Sequence, residues 1–108
     1  LRTTRLHLTV LQPDGQPAAG VEIQLTDLGN LAVVLQLDDR GSRVASVLQG
    51  HHRVRAYPRR LGSPRARLDF IKARGEAALP EELLDLGDLD VGPDTPTVQL
   101  RLPPAWDR

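Results

Sequence analysis

The chain has 108 residues, equal numbers of basic and acidic side chains, and no cysteine. Its length fits one domain, which we place over residues 1–108. The neutral balance excludes a whole-molecule field that attracts nucleic acid or acidic lipid. The missing cysteine excludes disulfides and thiolate zinc sites, and no apolar run approaches the ~18 residues that span a membrane.

The first two strands are predicted from alternation of apolar and polar side chains. Residues 6–10 and 21–25 each place an apolar residue at every second position. Between them, Pro13, Asp14 and Gly15 favour a tight turn. This part of the sequence therefore predicts two half-buried strands joined by a short connection.

Three further strands are predicted before residue 58. Residues 31–37 begin with a run that is apolar on both faces, which indicates a central strand. Gly41 suits a hairpin loop that needs positive φ, and alternation resumes over residues 44–48. Residues 51–57 follow, with inward and outward positions alternating. The side chains expected inside are His52, Val54 and Ala56, and those expected outside are His51, Arg53, Arg55 and Tyr57.

The stretch 58–83 is predicted to be an insertion or long connection, with two alternatives for its middle part. Ser63 and Pro64 suit the start of a short helix and Gly75 its end. However, residues 65–74 also alternate, and two arginines in a first helical turn oppose the helix dipole. The alternation and the unfavourable dipole together favour a strand over 65–74, with a helix as the alternative.

The closing strands are predicted over residues 84–91, around Gly87, and over 98–102, which two prolines end. Seven to eight short strands with turn residues between them are typical of an all-β sandwich. We therefore predict an antiparallel Greek-key sandwich with a possible short helix in the 58–83 insertion.

Two segments carry a family resemblance. Residues 9–25 contain a strand, an Asp-Gly-x-Pro turn and a second strand, and residues 39–56 contain an Asp-x-Gly turn, a strand and a Leu-x-Gly step before the next strand. In this order they resemble carboxypeptidase regulatory-like domains, which are transthyretin-like (prealbumin-type) sandwiches. The resemblance covers about residues 6–57. His52 stands where these domains usually carry a tyrosine, and 58–83 is longer than usual.

The resemblance implies an Ig-like, non-catalytic module with a structural or protein-binding role in a larger exported or cell-envelope protein. It also implies a secreted or envelope location, and the absence of an initiator methionine suggests a processed or excised chain. The alternative is a carbohydrate- or calcium-binding module. Third comes a hydrolase of the transthyretin-related branch that acts on 5-hydroxyisourate through histidines, an arginine and a Tyr-Arg-Gly-Ser ending. Residues 104–108 lack that ending.

No catalytic, cofactor or metal site is predicted. His51 and His52 are neighbours on a strand and point to opposite faces, so they cannot chelate one metal together. His7 could approach one of them across strands. No serine lies in a recognisable nucleophile motif. Four aspartates could offer oxygen ligands to calcium, but their spacing matches no EF-hand loop: Asp85, Asp88, Asp90 and Asp94.

The predicted interaction surface is a basic stripe with one aromatic side chain. It contains Arg53, Arg55 and Tyr57, joined by Arg65 and Arg67 if residues 65–74 pair alongside. One aromatic is too few for a single-stranded nucleic-acid groove, so we expect a protein partner or self-association, with no nucleic acid and no membrane span. If the basic and acidic segments form opposite poles, copies could associate head to tail.

Overall fold

The computed structural model describes residues 2–94 and 97–107, so Leu1 and Arg108 of the predicted domain lie outside the described residues. Within them are seven strands and one α-helix: β1 (Thr3–Leu11), β2 (Glu22–Asp27), β3 (Ala32–Gln36), β4 (Ser42–Leu48), β5 (Gly50–Ala56), α1 (Pro64–Arg74), β6 (Leu84–Val91) and β7 (Thr97–Arg101). Short 3₁₀ helices lie at Arg59–Leu61, Glu76–Glu82 and Pro104–Asp107.

The strands form two sheets, ordered β4-β1-β7 and β3-β2-β5-β6. All neighbours run antiparallel except β1 and β7, which run parallel, with Leu8 opposite Val98. The two sheets enclose one core between them. The chain is therefore a mostly antiparallel β-sandwich, which confirms the predicted all-β sandwich class.

The core is made of the inward positions that the alternation predicts. Both sheets contribute fully or almost fully buried side chains, which are Leu6, Leu8, Val10, Ile23, Leu25, Val54, Ala56 and Val91. His52 also points inward and is 3% exposed. Its Nε2 lies 2.7 Å from the Leu48 carbonyl oxygen, which can only accept a hydrogen bond, so Nε2 donates.

The prediction that residues 31–37 form a central strand is wrong. Within residues 2–94 and 97–107, β3 is an edge strand with β2 as its only sheet neighbour, and Val33 and Val34 are 39% and 52% exposed. An apolar run normally indicates that both faces of a strand are covered. Here the central positions of the sheet are taken instead by β2 and β5, which carry polar and charged side chains on their outer face.

The strand favoured over residues 65–74 is also wrong, because this segment forms helix α1. The Ser63 hydroxyl accepts a hydrogen bond from the Ala66 amide at 3.1 Å, Pro64 occupies the first turn, and the Gly75 amide donates to the Ile71 carbonyl. No α1 residue is fully buried, so local capping decides its structure. Because Arg65 is exposed, its unfavourable interaction with the helix dipole costs only about 0.3–1 kcal/mol.

Among the described residues, no helix combines the length and the apolar character that crossing a membrane requires.

Candidate functional site

A cleft of about 240 Å³ lies where the outer face of the four-stranded sheet meets the segments that follow β5 and β7. Residues 19–21 and Gly62 line it together with the larger side chains of Gln12, Glu22, Tyr57, Arg59, Arg67 and Trp106. Ligand pockets usually measure ~300–1,000 Å³. This cleft therefore suits a small metabolite rather than a large cofactor.

The inner wall of the cleft is built around Arg67. Its guanidinium carbon lies 4.8 Å from the centroid of the Tyr57 ring. Nη2 donates to Glu22 Oε1 at 3.1 Å, and Nη1 donates to the Leu61 carbonyl at 3.3 Å. The Arg67 side chain is 15% exposed. These contacts hold the guanidinium in one orientation and leave its remaining N–H groups available.

The opening of the cleft is formed by a second arginine stacked on a second ring. The Arg59 guanidinium carbon lies 5.6 Å from the centroid of the Trp106 ring. Arg59 Nη1 also donates to Asp107 Oδ1 at 2.6 Å. Trp106 is buried, whereas the Arg59 side chain is 64% exposed. Arg59 therefore presents most of its donors to solvent at the edge of the cleft.

The chain positions these groups through proline-bounded turns. Pro58 fixes the backbone directly after Tyr57, and the buried Leu61 anchors the short 3₁₀ helix that carries Arg59. After β7, Pro103 and Pro104 end the strand. The Trp106 amide then donates to the Pro103 carbonyl at 2.9 Å, which folds the indole back against the core.

The charged groups among the lining residues are two guanidinium groups and the Glu22 carboxylate, and Asp107 pairs with Arg59 at the edge of the cleft. Guanidinium groups match carboxylate and phosphate oxygens through paired N–H donors. The arrangement can therefore bind a small anion or a strong oxygen acceptor. Each ring is already faced by an arginine, which is unlike the open aromatic platform that stacks on a sugar ring.

Of the predicted interaction surface, the structure brings together Tyr57 and Arg67. Arg53 Nη2 lies 3.5 Å from Asp85 Oδ2, and Arg55 Nη2 lies 3.4 Å from Thr26 Oγ1. These two arginines lie farther along the outer face of β5. Arg65 is exposed on α1 instead of lying in a neighbouring strand, so the continuous stripe does not form.

The three histidines do not meet. His7 lies on β1 in the three-stranded sheet, His52 faces the core, and His51 lies on the outer face of β5. His51 Nδ1 is 2.8 Å from Asp90 Oδ1, and this hydrogen bond together with the charges of Asp88 and Asp90 raises the pKa of His51 above its usual value. In the described part of the chain no three His, Cys, Asp or Glu side chains form a group that could hold a metal ion.

The basic and acidic segments are neighbours rather than opposite poles. β5 and β6 pair directly, so that Arg53 lies beside Asp85 and His51 beside Asp90. Arg60 likewise donates to Glu82. The opposite poles from which head-to-tail association was predicted therefore do not form, and self-association itself stays a prediction.

Sequence reasoning missed Glu22, Arg59 and Trp106 as members of the site. Trp106 is the single tryptophan of the chain and follows two prolines. The prolines restrict the backbone before it, and this is the only local indication that the indole is held in one position. Arg59 and Asp107 lie 48 residues apart, and nothing in their local sequence indicates that they meet.

No protein-family model and no curated protein matches this sequence. A solved structure found to be similar is the 5-hydroxyisourate hydrolase of Klebsiella pneumoniae, which is 19% identical to this chain. The match covers 91% of this chain and 86% of that chain, with a TM-score of 0.49.

This comparison corrects the functional prediction. From the sequence, a non-catalytic structural or protein-binding module is predicted first and a hydrolase third, whereas the similar structure is that of a hydrolase. At 19% identity the similarity concerns the fold alone, so the activity of that protein is not assigned to this chain.

Proposed function

We propose that this chain binds a small organic anion, such as a carboxylate, in the cleft between Arg59 and Arg67. The observation that carries the proposal is the convergence of two arginines, each packed on an aromatic ring, on one concave site with a single acidic side chain.

The two arginines have different roles in the proposal. Arg67 is held by Glu22, Leu61 and Tyr57, so it forms a fixed wall. Arg59 is mostly exposed and is held on its polar side by the exposed Asp107. A ligand carboxylate can replace the Asp107 carboxylate on Arg59, because both present the same pair of acceptor oxygens. Arg59 is therefore the recognition residue.

The test is a titration followed by NMR, with the Trp106 indole N–H as a unique probe because the chain has one tryptophan. Acetate, benzoate and pyruvate are compared with the uncharged acetamide and benzamide. We expect the carboxylates to shift the Trp106 indole signal in a saturable manner. Equal shifts from acids and amides, or none from either, contradict the proposal.

Matched arginine variants locate the site. Arg59→Gln should weaken carboxylate binding by about 10- to 100-fold, since a hydrogen bond to a charged group is worth ~1.5–3 kcal/mol. Arg65→Gln is the control, because Arg65 is an exposed arginine outside the cleft. If both variants bind like the unchanged chain, the anion is not held by Arg59.

We also propose that, within the transthyretin-like class, the chain is a carboxypeptidase regulatory-like domain. The support is the strand-turn-strand pattern of residues 9–25, which corresponds to β1, its Pro13–Gly15 turn and β2. Homologous sequences that retain this turn and the Leu48-x-Gly50 step support the assignment, and homologues that lose both contradict it.

A further inference from the structure

The two sheets of the sandwich have four edge strands among the described residues, and these edges differ in charge. β6 carries Asp85, Asp88 and Asp90, while β4 and β7 each carry one arginine. β3 (Ala32–Gln36) carries none. Charged side chains on an edge strand discourage pairing with another chain, so β3 is the edge with the least protection.

The apolar side chains around β3 are unusually exposed. Leu28 and Leu31, in the turn before the strand, are 84% and 59% exposed, and Val34 within it is 52% exposed. These residues belong to a stretch, residues 28–37, without a charged side chain. Four of the six large apolar side chains that are most exposed in the described residues lie in this stretch.

Val33 shows that the sandwich interior is incomplete at this edge. It lies opposite Leu25, which is fully buried, and opposite residues of an antiparallel pair point to the same face. Val33 therefore faces inward, yet it remains 39% exposed because no strand of the described chain lies beyond β3. Another strand beside β3 would cover it.

We propose that two copies of this chain associate by pairing their β3 strands antiparallel, so that two four-stranded sheets become one sheet of eight strands. The occupant is a second copy because antiparallel self-pairing brings like residues together. On β3 this juxtaposes apolar side chains, whereas on β6 it would place aspartates near aspartates. The zero net charge of the chain adds no overall repulsion between copies.

The register follows from the alternation. A two-fold axis through Val34 places Val34 opposite its counterpart and Val33 opposite Leu35 of the other copy. This register keeps both interiors on the same side of the joined sheet, whereas a shift by one residue would reverse one of them. The exposed Val33 is then covered by the neighbouring copy, and the two cores become continuous.

The size of the contact places it in the weak class. A five-residue strand and the turn before it bury less than the area of a standard interface, which is ~1,200–2,000 Å². The association should therefore depend on concentration, and sedimentation must be followed up to about 1 mM, as for transient interfaces. Because backbone hydrogen bonds and apolar contacts carry it, high salt should not dissociate it.

Matched lysine variants test the contact in analytical ultracentrifugation of the whole chain. Val34→Lys places two ammonium groups opposite each other and should weaken dimer formation at least tenfold. Val44→Lys is the control, because Val44 is a valine of similar exposure, 45%, on the edge strand β4 of the other sheet. Circular dichroism confirms that both variants are folded.

Cysteine cross-linking tests the register, since the chain contains no cysteine of its own. Opposite residues of an antiparallel pair have Cα atoms ~4.5–5.5 Å apart, which is within the range that a disulfide bridges. Val34→Cys should form a covalent dimer under mild oxidation much faster than Val44→Cys.

Dimers that persist in 1 M NaCl, disappear in Val34→Lys and cross-link through Val34→Cys support the proposal. A chain that stays monomeric at 1 mM overturns it. So do dimers that high salt dissociates, equal weakening by both lysine variants, or equal cross-linking rates of the two cysteine variants.

Discussion

Arg67 of α1 and Glu22 of β2 form an ion pair at 3.1 Å although they lie 45 residues apart in the sequence. Both side chains are mostly shielded from solvent. The pair fastens the helix of the β5–β6 connection to the outer face of the sheet. It also fixes the wall of the candidate anion cleft, so stability and binding depend on the same contact.

Removing this ion pair should destabilise the fold and loosen the cleft. We expect Arg67→Gln to lower the free energy of unfolding by about 1.5–3 kcal/mol, since hydrogen bonds to charged groups contribute in that range. Urea unfolding of Arg67→Gln, Glu22→Gln and the double variant measures the coupling. Arg65→Gln, from the exposed side of α1, should stay within about 0.5 kcal/mol of the unchanged chain. A coupling energy of zero contradicts the stated role of the pair.

Two glycines with nearly the same positive φ should tolerate alanine very differently. Gly20 and Gly41 have φ of 73° and 71°. A Cβ on Gly41 would lie 2.7 Å from the Val10 carbonyl oxygen and 2.8 Å from the Ala18 amide nitrogen, whereas Gly20 has open space around it. Gly20→Ala should cost about 1–2 kcal/mol from the left-handed conformation alone. Gly41→Ala should cost about 3–5 kcal/mol, because overpacking against backbone is added. The difference between their urea midpoints measures the clash, and equal midpoints contradict it.

The His51–Asp90 pair should make stability depend on pH near neutrality. Because the pKa of His51 is raised by Asp90 in the folded chain, protonated His51 stabilises the fold. This contribution is fully present below the ordinary histidine pKa of about 6.5 and is lost as the pH rises through the raised value. An NMR titration of the His51 ring should show its pKa falling toward the ordinary value in Asp90→Asn. A pKa that the substitution leaves unchanged would mean that Asp90 is not the cause.

The N-terminal cap of α1 should account for much of its order. Ser63→Ala removes the acceptor for the Ala66 amide and should cost about 1 kcal/mol. Hydrogen exchange at residues 65–67 should become faster while exchange in β1 and β5 stays unchanged. Ser63→Asp should restore protection, because an aspartate caps equally well and its charge favours the helix dipole. A Ser63→Asp chain as poorly protected as Ser63→Ala would argue against capping as the cause.

The strands could be predicted from the sequence because alternation reflects burial directly. His52, Val54 and Ala56 point inward along β5, and Arg53 and Arg55 point outward, as the two-residue period requires. In α1 the same alternation was misleading. No α1 residue is fully buried, so the spacing of its apolar residues does not mark a face that packs against the core. The cap at Ser63 and Pro64 was the more informative signal there.

The candidate site could be predicted only in part. Tyr57 and Arg67 stand out as an aromatic and a basic residue within one segment, but their contact depends on α1 folding back onto the sheet. Arg59 and Trp106 are brought together by the return of the chain after β7. Such contacts follow from the tertiary fold, and local sequence carries no record of them.

The parallel pairing of β1 with β7 constrains the order in which the molecule can be completed. β1 is the middle strand of its sheet, and its second neighbour is formed by residues 97–101, about ninety positions later along the chain. During synthesis, one side of β1 stays without its partner until that late segment emerges from the ribosome. This sheet can therefore be completed only after the last strand is available, and its β1–β7 contacts join segments far apart in the chain.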